Sequence, residues 1–209
     1  GEVESIGPCI PREEHIWTGI AVNKLTNVLY GVSSNMDGSA LYTIDMNTGE
    51  ATDLGDIGMP GAIDCAIDGS GTMYSYCIVN KESYSINLET LETTYLGPIG
   101  FDANYAQGMA WDPSTDIIYL SAFNQEAYAG ELRILDRITG NTLLLGTFNS
   151  EVDGLAFPGL LPWFTVDPRN GTIEPWSEQE MTVTMHGDLA FSIKDYILSG
   201  NIRLESDPD

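Results

Sequence analysis

The stretch Leu41–Gly55, LYTIDMNTGEATDLG, recurs in outline as SYSINLETLETTYLG (Ser83–Gly97) and as LRILDRITGNTLLLG (Leu132–Gly146). In each copy an alternating run of apolar and aromatic residues meets a polar turn, and a second short run returns to close on Leu-Gly. In the first copy Leu41-Tyr42-Thr43-Ile44 leads through Asp45 into Asn47-Thr48-Gly49, and Ala51 to Leu54 comes back. Period-two alternation around an Asn, Thr and Gly turn predicts a β-hairpin. The closing glycines Gly55, Gly97 and Gly146 lie 42 and then 49 residues apart. Repeats of about 40 to 50 residues built from short strands predict propeller blades.

Each copy is preceded by a second hairpin. Gly19-Ile20-Ala21-Val22-Asn23 turns at Lys24 to Asn27 into Val28-Leu29-Tyr30-Gly31. Its counterparts are Asp64-Cys65-Ala66-Ile67-Asp68 into Met73-Tyr74-Ser75, and Gly108-Met109-Ala110-Trp111-Asp112 into Ile117-Ile118-Tyr119-Leu120. Two hairpins make one blade of four antiparallel strands, A to D, with small or apolar residues on strand A where blades crowd a central axis.

The ends of the repeat are ragged. Ser5-Ile6-Gly7-Pro8-Cys9-Ile10 aligns with Tyr95-Leu96-Gly97-Pro98-Ile99-Gly100 and reads as an outermost strand. Gly154-Leu155-Ala156-Phe157-Pro158 aligns with Gly108 to Asp112 and reads as an innermost one. The expected order is D, ABCD, ABCD, ABCD, A. Propellers close with four to eight blades, because a blade buries both faces only between neighbours. Three blades therefore call for partners: further blades from upstream sequence, which the mid-blade start favours, or a second copy completing a six-bladed ring.

After Pro158 the blade pattern stops. Trp163-Phe164-Thr165-Val166 and Met181-Thr182-Val183-Thr184-Met185 are strand-like and are joined through the turn cluster Asp167-Pro168-Arg169-Asn170-Gly171. Tyr196-Ile197-Leu198 and Asn201-Ile202-Arg203-Leu204-Glu205 follow before Ser206-Asp207-Pro208-Asp209. Short strands at roughly ten-residue spacing suggest half of a β-sandwich. The fold class expected is all-β: propeller blades over 1–158, then a β-sandwich over 159–209.

Two resemblances add to this. The run WFTVDPRNGTIEPWSEQEMTVTM with DYILSGNIRLESDPD resembles the immunoglobulin-like modules that follow secreted bacterial propellers and peptidases. It departs from them at Trp176-Ser177, where a glycine is usual, and in lacking the last apolar strand. The blade sentence resembles bacterial extracellular propeller repeats of the outline LYxIDxxTGxxTxLG, carried here by Tyr42, Ile44, Asp45, Thr48, Gly49, Leu54 and Gly55. The second copy departs at Leu91, which replaces the turn glycine. These resemblances imply secretion or a cell-surface location and a binding or scaffold role, with no particular ligand.

Composition bounds the function. The 209 residues carry 31 Asp and Glu against 8 Lys and Arg, a formal charge of −23. Such a chain repels phosphate backbones and anionic membrane surfaces. No stretch approaches the roughly 18 consecutive apolar residues of a membrane span. The three cysteines, Cys9, Cys65 and Cys77, show no CxxC spacing and indicate neither a zinc site nor a disulfide framework.

Catalytic patterns are weak. Only two histidines exist, His15 and His186, and they are expected to be ordinary loop or surface residues. G-x-S-x-G, H-E-x-x-H and P-loop patterns do not occur. Asp64, Asp68, Asp112 and Asp116 are positional candidates for the paired carboxylates of glycoside cleavage. Because Asp68 and Asp112 follow strand A at matching positions, the structural reading is turn capping. Asp64 to Thr72 lacks the closing Glu of an EF-hand loop, so calcium, though compatible with the acidity, has no motif and no cofactor is assigned. Trp17 and Trp111 read as blade packing, Trp163 and Trp176 as sandwich core and rim, and Asn170-Gly171-Thr172 as a plain turn. No catalytic, metal or cofactor residue is assigned. The expected function is a non-enzymatic secreted or cell-surface binding and scaffold module that meets protein or glycan through propeller loops. The alternative is an accessory region of a larger secreted hydrolase such as a peptidase; a glycan-cleaving propeller ranks last.

Overall fold

The computed structural model describes residues 5–105 and 107–157, together with two short strands further on. Three four-stranded antiparallel sheets follow one another along the chain, each in simple up-and-down order. Blade 1 holds β1 (Ile16–Asn23), β2 (Val28–Ser34), β3 (Ser39–Ile44) and β4 (Ala51–Asp56). Blade 2 holds β5 (Ala62–Ile67), β6 (Met73–Cys77), β7 (Glu82–Ile86) and β8 (Thr93–Pro98). Blade 3 holds β9 (Gly108–Asp112), β10 (Ile117–Asn124), β11 (Ala129–Leu135) and β12 (Thr142–Phe148). The inner strands come together, β1 beside β5 and β5 beside β9, so this is a partial β-propeller.

The repeated sentence is the outer hairpin of each blade. Its turn closes with Gly49 N–H donating to the Asp45 carbonyl at 2.8 Å, Leu91 to Asn87 at 2.9 Å and Gly140 to Asp136 at 2.8 Å. The side chains of Asp45, Asn87 and Asp136 each accept an N–H two residues on, the Asx arrangement that favours these residue types in turns. Gly49 and Gly140 have φ of 73° and 72°, and Leu91 adopts 59° at the same place. The departure in the second copy therefore keeps the turn geometry and places a β-carbon in the left-handed region, where it is disfavoured by about 1 kcal/mol.

Every outer hairpin also carries a register shift at its closing glycine. The shift falls between Leu41 and Tyr42, between Ser83 and Tyr84 and between Leu132 and Arg133, leaving Leu54, Leu96 and Leu145 as the extra residue opposite it. The Leu-Gly ending is thus a β-bulge, which bends the outer strand and increases its twist.

The core lies between blades and not within them. One cluster fills the seam of blades 1 and 2, with Val32, Leu41, Ile57, Cys65, Met73 and Ile86 among its members. A second fills the seam of blades 2 and 3, with Tyr76, Ile99, Phe101, Met109, Ile118 and Leu120. Blade 2 has a neighbour on both faces, and all five residues of β6 are buried. Between the outer strands the blades approach closely. A β-carbon on Gly97 would overlap the Thr139 carbonyl of the next blade's turn, and one on Gly7 would overlap the Thr48 carbonyl. Gly55 instead faces the Leu91 side chain, whose Cδ1 lies 3.0 Å from where a β-carbon would be. Thr93 and Thr142, which open β8 and β12, donate their hydroxyls to the Ile57 and Ile99 carbonyls of the preceding blade, both at 2.6 Å.

Neither flanking segment is in a strand ladder, because a strand needs a neighbour to pair with, but both lie where the repeat places them. Residues 5–10 put Gly7 against the blade 1 turn, and Trp17 Nε1 donates to the Cys9 carbonyl at 2.9 Å. Residues 154–157 run beside β9 at Gly108, with Phe157 on Tyr119.

The chain separates into two compact units, Gly1–Phe157 and Pro158–Asp209. In the second, β13 (Phe164–Asp167) pairs antiparallel with β14 (Thr182–Met185), the two strands expected there. The remaining sandwich expectations, including Trp163, Trp176, Asn170-Gly171-Thr172, His186 and the segments at 196–198 and 201–205, lie outside the described residues.

The seam geometry gives a matched pair of substitutions. Gly97→Ala is expected to destabilise the chain by about 2 kcal/mol, since a backbone carbonyl blocks the new methyl. Gly146→Ala meets no atom of the described residues within 4 Å of the new β-carbon and is expected to change stability by less than about 0.5 kcal/mol. Urea unfolding of the two variants checks both.

Candidate functional site

In an antiparallel blade the A–B and C–D turns share one end, and the B–C turns share the other with the crossovers to the next blade. The four positional carboxylates divide between the first end and the axis. Asp68 Oδ1 accepts from the backbone N–H and hydroxyl of Ser70 at 2.9 and 2.6 Å and from Thr72 N at 3.1 Å. Asp112 accepts from Ser114 N and Oγ at 2.8 and 2.7 Å and from Thr115 Oγ1 at 2.8 Å, and these bonds hold its carboxyl below the ordinary value. Asp116 meets Arg137 at 2.7 Å and Trp111 Nε1 at 2.9 Å, and it too titrates low, chiefly through the bond to Arg137. Arg137 Nη1 also reaches Asp68 at 2.8 Å. The turn-capping geometry is what the sequence pattern implied. The Arg137 bridge, which ties the blade 2 turn to blade 3, had no signal in the repeat.

Asp64 is different. It occupies the strand A position held by Gly19 in blade 1 and Gly108 in blade 3, and it is buried between inner strands. One oxygen accepts from Cys65 N and the other from Met109 N, bridging β5 to β9. Burial raises its pKa from 3.8 to about 7, against the opposing effect of those two bonds. Between about pH 4 and pH 7 the folded chain therefore keeps a proton on Asp64 that the unfolded chain has lost.

At the other end of blade 1 a cleft of about 440 Å³ lies among His15, Asn35, Asp37, Asp56 and Met59. Its wall is built by local turn chemistry: Asn35 Oδ1 accepts from Asp37 N and Gly38 N, both at 2.9 Å. His15 is half-buried and begins a chain of polar groups. Its Nδ1 lies 3.1 Å from Ser33 Oγ, Ser33 donates to the Tyr42 hydroxyl at 3.2 Å, and Arg12 N donates to that hydroxyl at 3.1 Å. Arg12 grips Asp53 with two nitrogens and also bonds Asp56, which lowers the Asp53 pKa. Ser33 is fully buried beneath His15, so the pair organises the cleft wall and does not offer a nucleophile to solvent.

The same end of blade 3 carries a group that sequence reading passed over. Tyr105, in the β8–β9 crossover, and Tyr128, at the end of the β10–β11 turn, both lie edge-on to Phe123, with ring centroids 5.2 and 5.5 Å apart. The tyrosines are 51% and 75% exposed, while Phe123 is buried. Both tyrosines have positive φ, 61° and 49°, uncommon for bulky side chains and a form of strain that concentrates at binding surfaces. The crossover is pinned to the turn. Asn104 N donates to the Phe123 carbonyl at 3.2 Å, Gln125 N to the Asp102 carbonyl at 2.7 Å and Asn104 Nδ2 to Gln125 Oε1 at 3.2 Å. Behind it, Glu131 and Arg133 form a buried ion pair, with the guanidinium 4.3 Å from the centre of the Phe101 ring. Two exposed phenol rings on a fixed base, bordered by amides, form a contact platform. The sequence signal that existed was a tyrosine in each of two polar loops, a pattern meaningful only once the fold brings the loops together.

Cys9, Cys65 and Cys77 are free thiols, the first exposed and the other two buried. Among the described residues no group of three or more His, Cys, Asp and Glu side chains converges as a metal-ligand set.

No protein-family model matches the chain, and no curated protein matches it. Solved structures do. A chain of the nidogen/laminin complex superposes with a TM-score of 0.54 at 16% identity, over 70% of this chain and 54% of that one. A luciferin-regenerating enzyme gives 0.48 at 14% identity over 74% and 53%. The PQQ-bound aldose sugar dehydrogenase of Streptomyces coelicolor gives 0.47 at 13% identity over 73% and 61%. The chain thus spans about half the length of the nidogen/laminin chain that it matches. At 16% identity the likeness to the nidogen/laminin chain is one of fold, and that fold is the β-propeller.

The Asp64 carboxyl makes stability depend on pH with a definite sign. Because its folded pKa lies above the unfolded one, its contribution falls as pH rises from about 4 to about 7. Relative to Asp64→Asn, the native chain is expected to lose up to about 4 kcal/mol across that window and nothing further above it. Urea midpoints of both proteins at pH 4, 5, 6, 7 and 8 check this.

Proposed function

We propose that this chain is a non-enzymatic binding and scaffold module, secreted or displayed at a cell surface, that meets a protein or glycan through the loops at the B–C end of its blades. The observation that carries the reading is the platform of Tyr105, Phe123 and Tyr128: two exposed rings held in strained backbone on a buried third. Ordering such rings in advance removes part of the cost of binding, which is what a recognition surface gains from rigidity. The carboxylates that glycoside cleavage would need support the non-enzymatic side of the reading, since Asp68 and Asp112 cap turns, Asp116 is paired with Arg137 and Asp64 is buried. The secreted or surface location rests on the repeat resemblance, and the strongly acidic composition fits it.

The test is a selection on the purified chain against a displayed random-peptide library and a panel of neutral oligosaccharides, cellohexaose, xylohexaose and chitohexaose. Binders are expected to lose at least tenfold in affinity on the Tyr105→Ala/Tyr128→Ala double variant, whose unfolding midpoint stays near that of the native chain. Binders indifferent to both substitutions, or turnover of any of the oligosaccharides, would overturn the reading.

A further inference from the structure

The seams between blades have a regular grammar, and it points beyond the three blades. The closing glycine of one blade fits against the C–D turn of the next: Gly7 on Thr48, Gly55 on Leu91 and Gly97 on Thr139. Gly146 occupies the same bulged position in β12, yet no atom of the described residues lies within 4 Å of where its β-carbon would be. Leu132, opposite Gly146, is half-buried, whereas Leu41 and Ser83 at the same position are fully buried. On the other side of the unit, Ile20 is 61% exposed, while its counterparts Cys65 and Met109 in the later blades are 0% and 3% exposed. Val22, two residues on in β1, shares that open face. Both outer faces continue the pattern of the two internal seams and, among the described residues, stop short of a partner.

Each edge nevertheless already holds one strand-length segment of an adjoining blade. Residues 5–10 sit where the last strand of a preceding blade belongs, with Gly7 filling the Thr48-Gly49 turn. Residues 154–157 sit where the first strand of a following blade belongs. Gly154 and Leu155 lie as close to Gly108 as Asp64 and Cys65 lie to Gly19. This arrangement decides against one candidate partner. Were a second copy to follow head to tail, its β1 would have to enter the place taken by residues 154–157. Its Thr48-Gly49 turn, which would have to meet Gly146, is already covered by its own Gly7.

We propose that the two open edges receive further propeller blades that are not a second copy of this chain. At blade 3 the partner supplies strands B, C and D behind residues 154–157, with a Thr-Gly outer turn against Gly146. At blade 1 it supplies strands A, B and C inside residues 5–10, covering Ile20 and Val22. This rests on seam geometry and is independent of the ligand reading above.

Two measurements test it. Native mass of the unaltered chain is expected to show a monomer, and a dimer with the Ile20 and Gly146 amides protected from exchange would overturn the proposal. In the second, a copy of residues 113–148 is inserted after Pro158 of the full chain, so that residues 154–158 lead directly into a B–C–D set with its own Thr-Gly turn. The graft is expected to raise Tm by at least 5 °C and to slow amide exchange over Leu143–Phe148, and Gly146→Ala is expected to abolish both effects. An intact blade 3 with unchanged exchange there, or a gain that survives Gly146→Ala, would overturn it. Should the graft fail to fold, the native-mass result still decides against or for the second copy.

Discussion

A closing glycine seated against the next outer turn, on a backbone carbonyl at Gly7 and Gly97 and on the Leu91 side chain at Gly55, is the contact on which the rest of this structure depends. It sets how near the outer strands can come, and that spacing lets the faces of adjacent sheets meet at packing density with Val32, Leu41 and Ile57 in one seam and Ile99, Ile118 and Leu120 in the other. A four-stranded sheet alone has two faces and no interior. Here the interior is made twice, once per seam, and the blade with two seams is the one whose second strand is buried from end to end. The bulge beside each glycine belongs to the same device, because it turns the outer strand so that the glycine faces across the seam.

Much of this was legible in the sequence. Strand order, the two hairpins per blade and the turn positions follow from period-two alternation and from Asp45, Asn87 and Asp136 at the start of each outer turn. What could not be read was anything set between repeats. The Leu-Gly ending was recognisable as the close of each copy, but its role as a bulge needs the partner strand. Leu91 looked like a lapse in the pattern, and it holds the same left-handed backbone as the glycines it replaces. Asp64 looked like one of four comparable carboxylates, and only the approach of β9 separates it as the buried one.

The site was less legible than the fold for the same physical reason. Tyr105 and Tyr128 are 23 residues apart in sequence. They belong to no repeat, and they meet only because the crossover from blade 2 and the turn of blade 3 are pinned together over Phe123. Loops free of the repeat constraint are where such a scaffold can vary its surface without disturbing its seams. His15 illustrates the converse: as one of two histidines it invited a catalytic test, and its Nδ1 instead helps to hold the hydroxyls of Ser33 and Tyr42 in place.

If seams carry the stability, protection should follow the number of neighbours a blade has and not the length of its strands. Native-state amide exchange on the intact chain measures this directly. The account predicts slowest exchange in β6 and β7 of blade 2, with β1 and β12 opening at much lower free energy although they are longer strands. Equal protection in all three blades, or greater protection in β1 and β12 than in β6, would contradict it.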